Sequence, residues 1–126
     1  EESPGYGTPK PRRAFDLEDR TEAFARSVRA FIKKLPRTPA NDEDGRQLIR
    51  ASGSVGANYI EANEAVSHKD FLLRVKIARK ESKEARYWLR LVDTGAEPTN
   101  ESECASLIRE ATELMNILSA IYRKSE

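Results

Sequence analysis

Cysteine is nearly absent from this chain. Cys104 stands alone, which excludes an internal disulfide and any cysteine-rich metal site. Histidine is as scarce: with His68 the one imidazole, a Ser-His-Asp or Cys-His arrangement could be assembled around it only by chance. No apolar run approaches the roughly 18 residues a membrane span requires, and no signal-peptide pattern opens the chain. Nor does either sign of charge dominate. Twenty-two Lys and Arg face 21 Asp and Glu, a net charge of +1. No global field therefore draws the protein to nucleic acid or to a membrane, and a basic surface has to come from how the charges are distributed. What these absences leave is a soluble, cytoplasmic, non-enzymatic protein with no cofactor and no small-molecule substrate.

What is present is helical periodicity. At 126 residues, with 38% hydrophobic and 34% charged positions, the chain has material for one core, and nearly every apolar residue is needed inside it. The opening EESPGYGTPKPRRA is rich in Pro and Gly and lacks apolar spacing, so residues 1–15 read as a flexible arm and 16–125 as the folded domain. From Asp16, a candidate cap, the positions Leu17, Thr21, Phe24, Val28, Phe31 and Leu35 recur at four and three, the seam of an amphipathic helix that Pro36 ends. A second helix starts between Thr38 and Asn41, with Pro39 in its first turn, and carries Leu48, Ser52, Val55, Tyr59, Ala62 and Val66. Ser67-His68-Lys69-Asp70 resembles a capping box and opens a third, with Phe71, Val75, Ala78, Ser82, Ala85, Leu89 and Val92 as its seam. Gly95 is placed for a left-handed helix end before Pro98. The fourth begins near Thr99 or Asn100 and carries Leu107, Ile108, Ala111, Leu114, Met115, Leu118, Ile121 and Tyr122. No stretch alternates as a strand does. The fold class is all-α, an antiparallel up-down-up-down four-helix bundle.

The stretch RASGSVGANYIEANEA, residues 50–65, admits two readings. A phosphate loop needs a following Lys and hydroxyl, and a dinucleotide fingerprint needs a third glycine between strand and helix. Neither is here, and the helical spacing runs unbroken across Gly53 and Gly56. Two glycines cost a helix about 2 kcal/mol relative to alanine, which calls for a compensating contact. Ser52 with Gly56, and Gly53 with Ala57, lie four apart and flatten one face, so a neighbouring helix can approach closely, from within the chain or from another subunit. Tyr59 and Trp88 are large aromatics near the seams and candidates for core or subunit interface.

Asn58, Glu61, Asn63 and Glu64 on the second helix can meet Glu81 and Glu84 on the third. Facing carboxylates in a bundle invite a di-metal site, but that site needs Glu-x-x-His motifs the chain does not have, so an interhelical polar network is the better expectation and no metal is assigned. Cys104 reads as a small buried hydrophobe. The third helix concentrates the bases Arg74, Lys76, Arg79, Lys80, Lys83, Arg86 and Arg90, with Asp70, Glu81, Glu84 and Asp93 opposing them. Lys76, Lys80, Lys83, Tyr87 and Arg90 fall on one stripe, able to neutralise phosphates while Tyr87 stacks on a base. The bland alternative is a solvated face balanced by acids on neighbouring helices. Lys10, Arg12 and Arg13 of the arm add a small basic cluster. A second apolar line, Leu73, Ile77, Trp88 and Leu91, exceeds what one isolated bundle needs and points to an oligomer.

The run GSVGANYIEANEAVSHKDFLLRVKIARKESKEARYWLRL, with FDLEDRTEAFA and QLIRASGSVGAN before it, resembles a family of bacterial four-helix bundle proteins. These are related to the protein encoded in intervening sequences of 23S ribosomal RNA genes, and more distantly to the accessory variability protein of diversity-generating retroelements. The likeness covers Phe15 to Arg123. It implies assembly as a ring, typically a homopentamer, and an association with RNA or a nucleoprotein, but no catalytic residues. On that reading the third-helix bases and Tyr87 are the nucleic-acid-binding candidates. A protein–protein scaffold without nucleic-acid binding is the alternative.

Overall fold

The computed structural model describes the backbone from Arg12 to Glu126 and side chains from Leu17 onward. Four helices fill it: α1 (Arg12–Ile32), α2 (Pro39–Asn63), α3 (His68–Leu91) and α4 (Pro98–Ser125). Among the described residues there is no strand. Each helix packs on the next in sequence, and α1 closes the square against α4. That is the antiparallel bundle the periodicity predicts.

The helix starts follow local chemistry. Thr38 accepts from the Asn41 amide at 3.0 Å and Pro39 follows, a residue whose missing N–H costs nothing in a first turn. Ser67 accepts from the Asp70 amide at 3.0 Å, as the capping-box reading requires. Helix α4 opens at Pro98, one residue before the expected start, with the Glu97 carboxylate accepting from the Thr99 amide at 2.8 Å.

Other boundaries differ from expectation as well: α1 ends at Ile32, short of Pro36, so Leu35 reaches the core from the turn. Helix α1 begins at Arg12, so Asp16 lies within it and is not its cap, while residues 1–11 of the expected arm lie outside the described residues. Helix α2 ends at Asn63, so Val66, which continues the four-three spacing, falls in the turn and is 94% exposed. Gly95 is left-handed at φ 73°, but it sits in the α3–α4 loop, beyond the end of α3 at Leu91. A Cβ there would also lie 2.9 Å from Pro36, so glycine is needed for contact as well as for conformation.

The seams meet in one core. Phe24, Val28 and Phe31 of α1, Leu48, Val55 and Tyr59 of α2, Val75 and Leu89 of α3, and Leu114 and Leu118 of α4 are all buried. Phe71, Ile108, Ile121 and Tyr122 pack at its margin. Two buried amides then bind the loops at one end of the bundle. Asn41 donates to the carbonyls of Pro36 (3.0 Å) and Asp93 (2.9 Å) and accepts from the Asp93 amide (2.9 Å). Asn100 donates to Lys34 and Thr94 carbonyls, both at 3.3 Å. Backbone groups that loops would otherwise leave unsatisfied are thereby paired.

Candidate nucleic-acid interface

The surface of α3 divides lengthwise according to what its charges touch. On the side toward α2 the acids lie against bases, although Glu81 Oε1 is buried without a hydrogen-bond partner. Arg50 of α2 reaches across to Glu81 at 3.4 Å and also bonds Glu84. The Glu84 carboxylate accepts in turn from the Trp88 indole N–H at 3.2 Å. Partial burial pushes the Glu84 carboxyl up, but the Trp88 and Arg50 hydrogen bonds outweigh it and hold it below the ordinary carboxylate value. Arg74 belongs to this side too: it donates to the Asn58 side-chain Oδ1 of α2 at 3.2 Å and lies 3.8 Å from Asp70.

Away from α2 the accounting changes. Lys76, Lys80, Lys83 and Arg90 are exposed, and Arg79 and Arg86 half-buried. Among the described residues no carboxylate lies within ion-pairing distance of any of the six. Arg79 stands 5.8 Å from the centre of the Tyr122 ring of α4, a cation–π contact, and Arg86 donates to the Thr112 hydroxyl at 3.3 Å. These contacts with α4 orient the two guanidinium groups without neutralising them. A groove of about 350 Å³ runs between the helices, lined by Lys76, Arg79, Lys80, Lys83, Met115 and Ser119. The acids of α4 that might have answered it face elsewhere. Glu110 and Glu113 bind Arg20 of α1, with Glu110 gripping it through two bonds at 2.7 and 2.8 Å, and Glu103 binds Lys34 at 2.9 Å. The Glu110 hydrogen bond is the main reason the Arg20 guanidinium holds its proton even more tightly than usual.

Tyr87 stands on the same open surface. It is 54% exposed, with its ring 5.1 Å from that of Trp88 at an interplanar angle of 70°. Lys76, Lys80, Lys83, Tyr87 and Arg90, which the helical spacing puts on one stripe of α3, are all exposed. Arg74 is separated from them, being committed to Asn58 and Asp70.

The small-residue face divides as well. A Cβ on Gly56 would lie 2.8 Å from Thr21 Oγ1, so α1 sits against the bare backbone of α2 here. The same atom on Gly53 would meet only the end of Arg29 at 3.6 Å, an ordinary contact, and Ala57 is exposed. Both line a shallow cleft between α1 and α2 with Ile60. Ser52 is buried and donates to the Ile49 carbonyl at 3.2 Å. Tyr59 is buried, and burial raises its hydroxyl above the ordinary value. Trp88 is half-buried against the core.

The bonded members of the expected polar network fall into three separate sets, one of them Glu81 and Glu84 on Arg50 as described above. Asn58 joins Arg74 and donates to the Ser54 carbonyl, while Asn63 donates to Glu18 of α1 at 2.6 Å, on the other side of α2. Glu61 and Glu64 are exposed, and their side chains have no bonded partner among the described residues. Among those residues there is also no group of three or more His, Cys, Asp or Glu able to hold a metal ion. No helix among them is long and apolar enough to cross a membrane. Sequence reasoning missed Arg20, Glu110 and Asn41 as the residues that tie elements together. Pairs 90 and 52 positions apart leave no local signal.

Fold and surface together define a class: an all-α bundle with ion pairs across its helix seams and a face of α3 rich in bases. The family model described as 23S rRNA-intervening sequence protein matches residues 14–120, and the chain belongs to that family. It is also similar to a solved protein of unknown function from the S23 ribosomal protein family of Bacteroides thetaiotaomicron VPI-5482, determined at 1.70 Å. The two are 30% identical, with a TM-score of 0.70, over 84% of this chain and 97% of that one. No curated protein matches the sequence.

Proposed function

We propose that this protein is a non-enzymatic, homo-oligomeric bundle of the cytoplasm that binds RNA or a nucleoprotein through the open face of α3. One observation carries the reading: six bases on that face make no ion pair with a carboxylate among the described residues, Lys80 only feeling the field of nearby Glu84, while Glu81 and Glu84 of α3 and Glu103, Glu110 and Glu113 of α4 are bonded to bases of other helices. A merely solvated face would place acids among its bases. Phosphates supply the missing charge, and a family descriptor that refers to ribosomal RNA genes agrees with that chemistry. Self-association is part of the proposal, supported by Ile60, Leu73 and Leu91, which stay exposed on the outside of α2 and α3.

The test is fluorescence anisotropy of nuclease-treated protein with a structured RNA, from low to moderate salt. Binding is expected to weaken steeply as salt rises. Replacing Lys76, Lys80 and Lys83 together by Ala should lower the log–log salt slope by about 2. Salt-insensitive binding, or none at low salt, would sink the proposal. The second reading, a protein-binding scaffold, draws on the same exposed Leu73 and Leu91. It predicts full retention of a protein partner in the triple-Ala variant. Sedimentation of the free protein reports the oligomer.

A further inference from the structure

The row on α3 is more than a line of charge. From Lys76 to Tyr87 it runs about 16 Å along the helix, at 1.5 Å per residue. Its last member is an aromatic ring more than half open to solvent. That ring is also braced. Trp88 meets Tyr87 edge to face, the Trp88 indole N–H is held by Glu84, and Glu84 is held by Arg50 from the neighbouring helix. An exposed tyrosine with no such support would lose rotamer freedom on binding, whereas this one gives up less.

Resting on the nucleic-acid reading above, we infer that the ligand of this face is a single strand, with phosphates on Lys76, Lys80 and Lys83 and one unpaired base stacked on Tyr87. The chemistry separates this from duplex binding. A duplex keeps its bases stacked on one another and presents only phosphate and groove edges, so it has no base face to offer the ring. In a single strand every base has a free π-face, and aromatic stacking accepts any of them. Arg50, Glu84 and Trp88 act here as positioning residues, since none of them needs to touch the ligand.

The experiment titrates the intact 126-residue chain at low salt with three labelled RNAs. They are a mixed-sequence 12-nucleotide strand, the same strand annealed to its complement, and the same strand with abasic positions. The free strand should bind at least tenfold more tightly than either of the others. Tyr87→Ala should weaken the free strand about tenfold, within the range measured for base–aromatic stacking, without altering duplex affinity or the salt slope. Tyr87→Phe should bind as the parent does. Trp88→Phe, which keeps a ring but loses the bond to Glu84, should cost a few-fold, and a circular dichroism melt of each variant checks that the bundle is intact. Equal binding of strand and duplex, with Tyr87→Ala neutral, overturns the inference and leaves the nucleic-acid reading standing. No binding of any RNA overturns both. A drop in sedimenting mass for Tyr87→Ala assigns the face to a second copy of the chain and overturns the inference as well.

Discussion

The two flanks of α3 are built from the same kinds of residue and treat charge in opposite ways. Toward α2, Glu81 and Glu84 share one arginine and Arg74 sits between an amide and a carboxylate. Away from α2, six bases make no ion pair among the described residues, and only Lys80 feels a neighbouring carboxylate, that of Glu84. A net charge of +1 hides this, because the compensation takes place across helix seams and not across the surface. Between helices, an ion pair sets which elements are neighbours. On an open face, an unanswered charge is available to a ligand.

Reversing the open flank should have the largest effect. Lys80→Glu with Lys83→Glu is expected to abolish RNA binding, a loss on the order of 100-fold at low salt, while stability stays within about 0.5 kcal/mol in urea unfolding. A large loss of stability would show that the open flank is not open. Breaking a seam should do the reverse. Arg20→Ala leaves Glu110 and Glu113 facing each other and should cost about 1 kcal/mol, the half-exposed guanidinium being screened by water, with RNA affinity unchanged. Arg50→Ala should cost somewhat less, under about 1 kcal/mol, because its side chain is 49% exposed. It should also loosen the Trp88 brace, readable as a shift in tryptophan emission.

The smallest effect is in acid. Glu84 has a folded-state carboxyl below its ordinary value near 4.5, so its contribution is complete above that value and fades as pH falls through the lower one. Glu84→Gln should therefore flatten the stability–pH curve below about pH 4.5, by a few tenths of a kcal/mol. An unchanged curve would mean that Arg50 and Trp88 do not hold the carboxylate in solution.

Elements whose cause is local could be read from sequence: the seams, the Thr38 and Ser67 caps, and the left-handed Gly95. So could the row from Lys76 to Tyr87, because a helical period fixes which residues share a stripe. What periodicity cannot show is where a helix stops and which neighbour a stripe meets. Val66 fits the spacing by arithmetic, yet the helix ends at Asn63. Gly53 and Gly56 look alike in the sequence, yet only Gly56 lies against Thr21. Asn58 and Asn63 suggest one network, although five residues turn a helix by well over a quarter of a circle. One therefore meets α3 and the other α1. The split of charge between the flanks was hidden for the same reason, since it depends on Arg50, Arg20 and Lys34 reaching across from other helices.

The two buried amides at the loop end also decide where this chain tolerates added sequence. Asn41 and Asn100 fasten the α1–α2 and α3–α4 connections to each other, with Gly95 pressed on Pro36. A peptide inserted in either loop has to displace those bonds. The α2–α3 turn at the opposite end carries no such fastening among the described residues, and its Val66 projects into water. An epitope tag or fluorescent protein grafted between Glu64 and Ser67 should leave the bundle folded, whereas the same graft at Thr94–Ala96 should not.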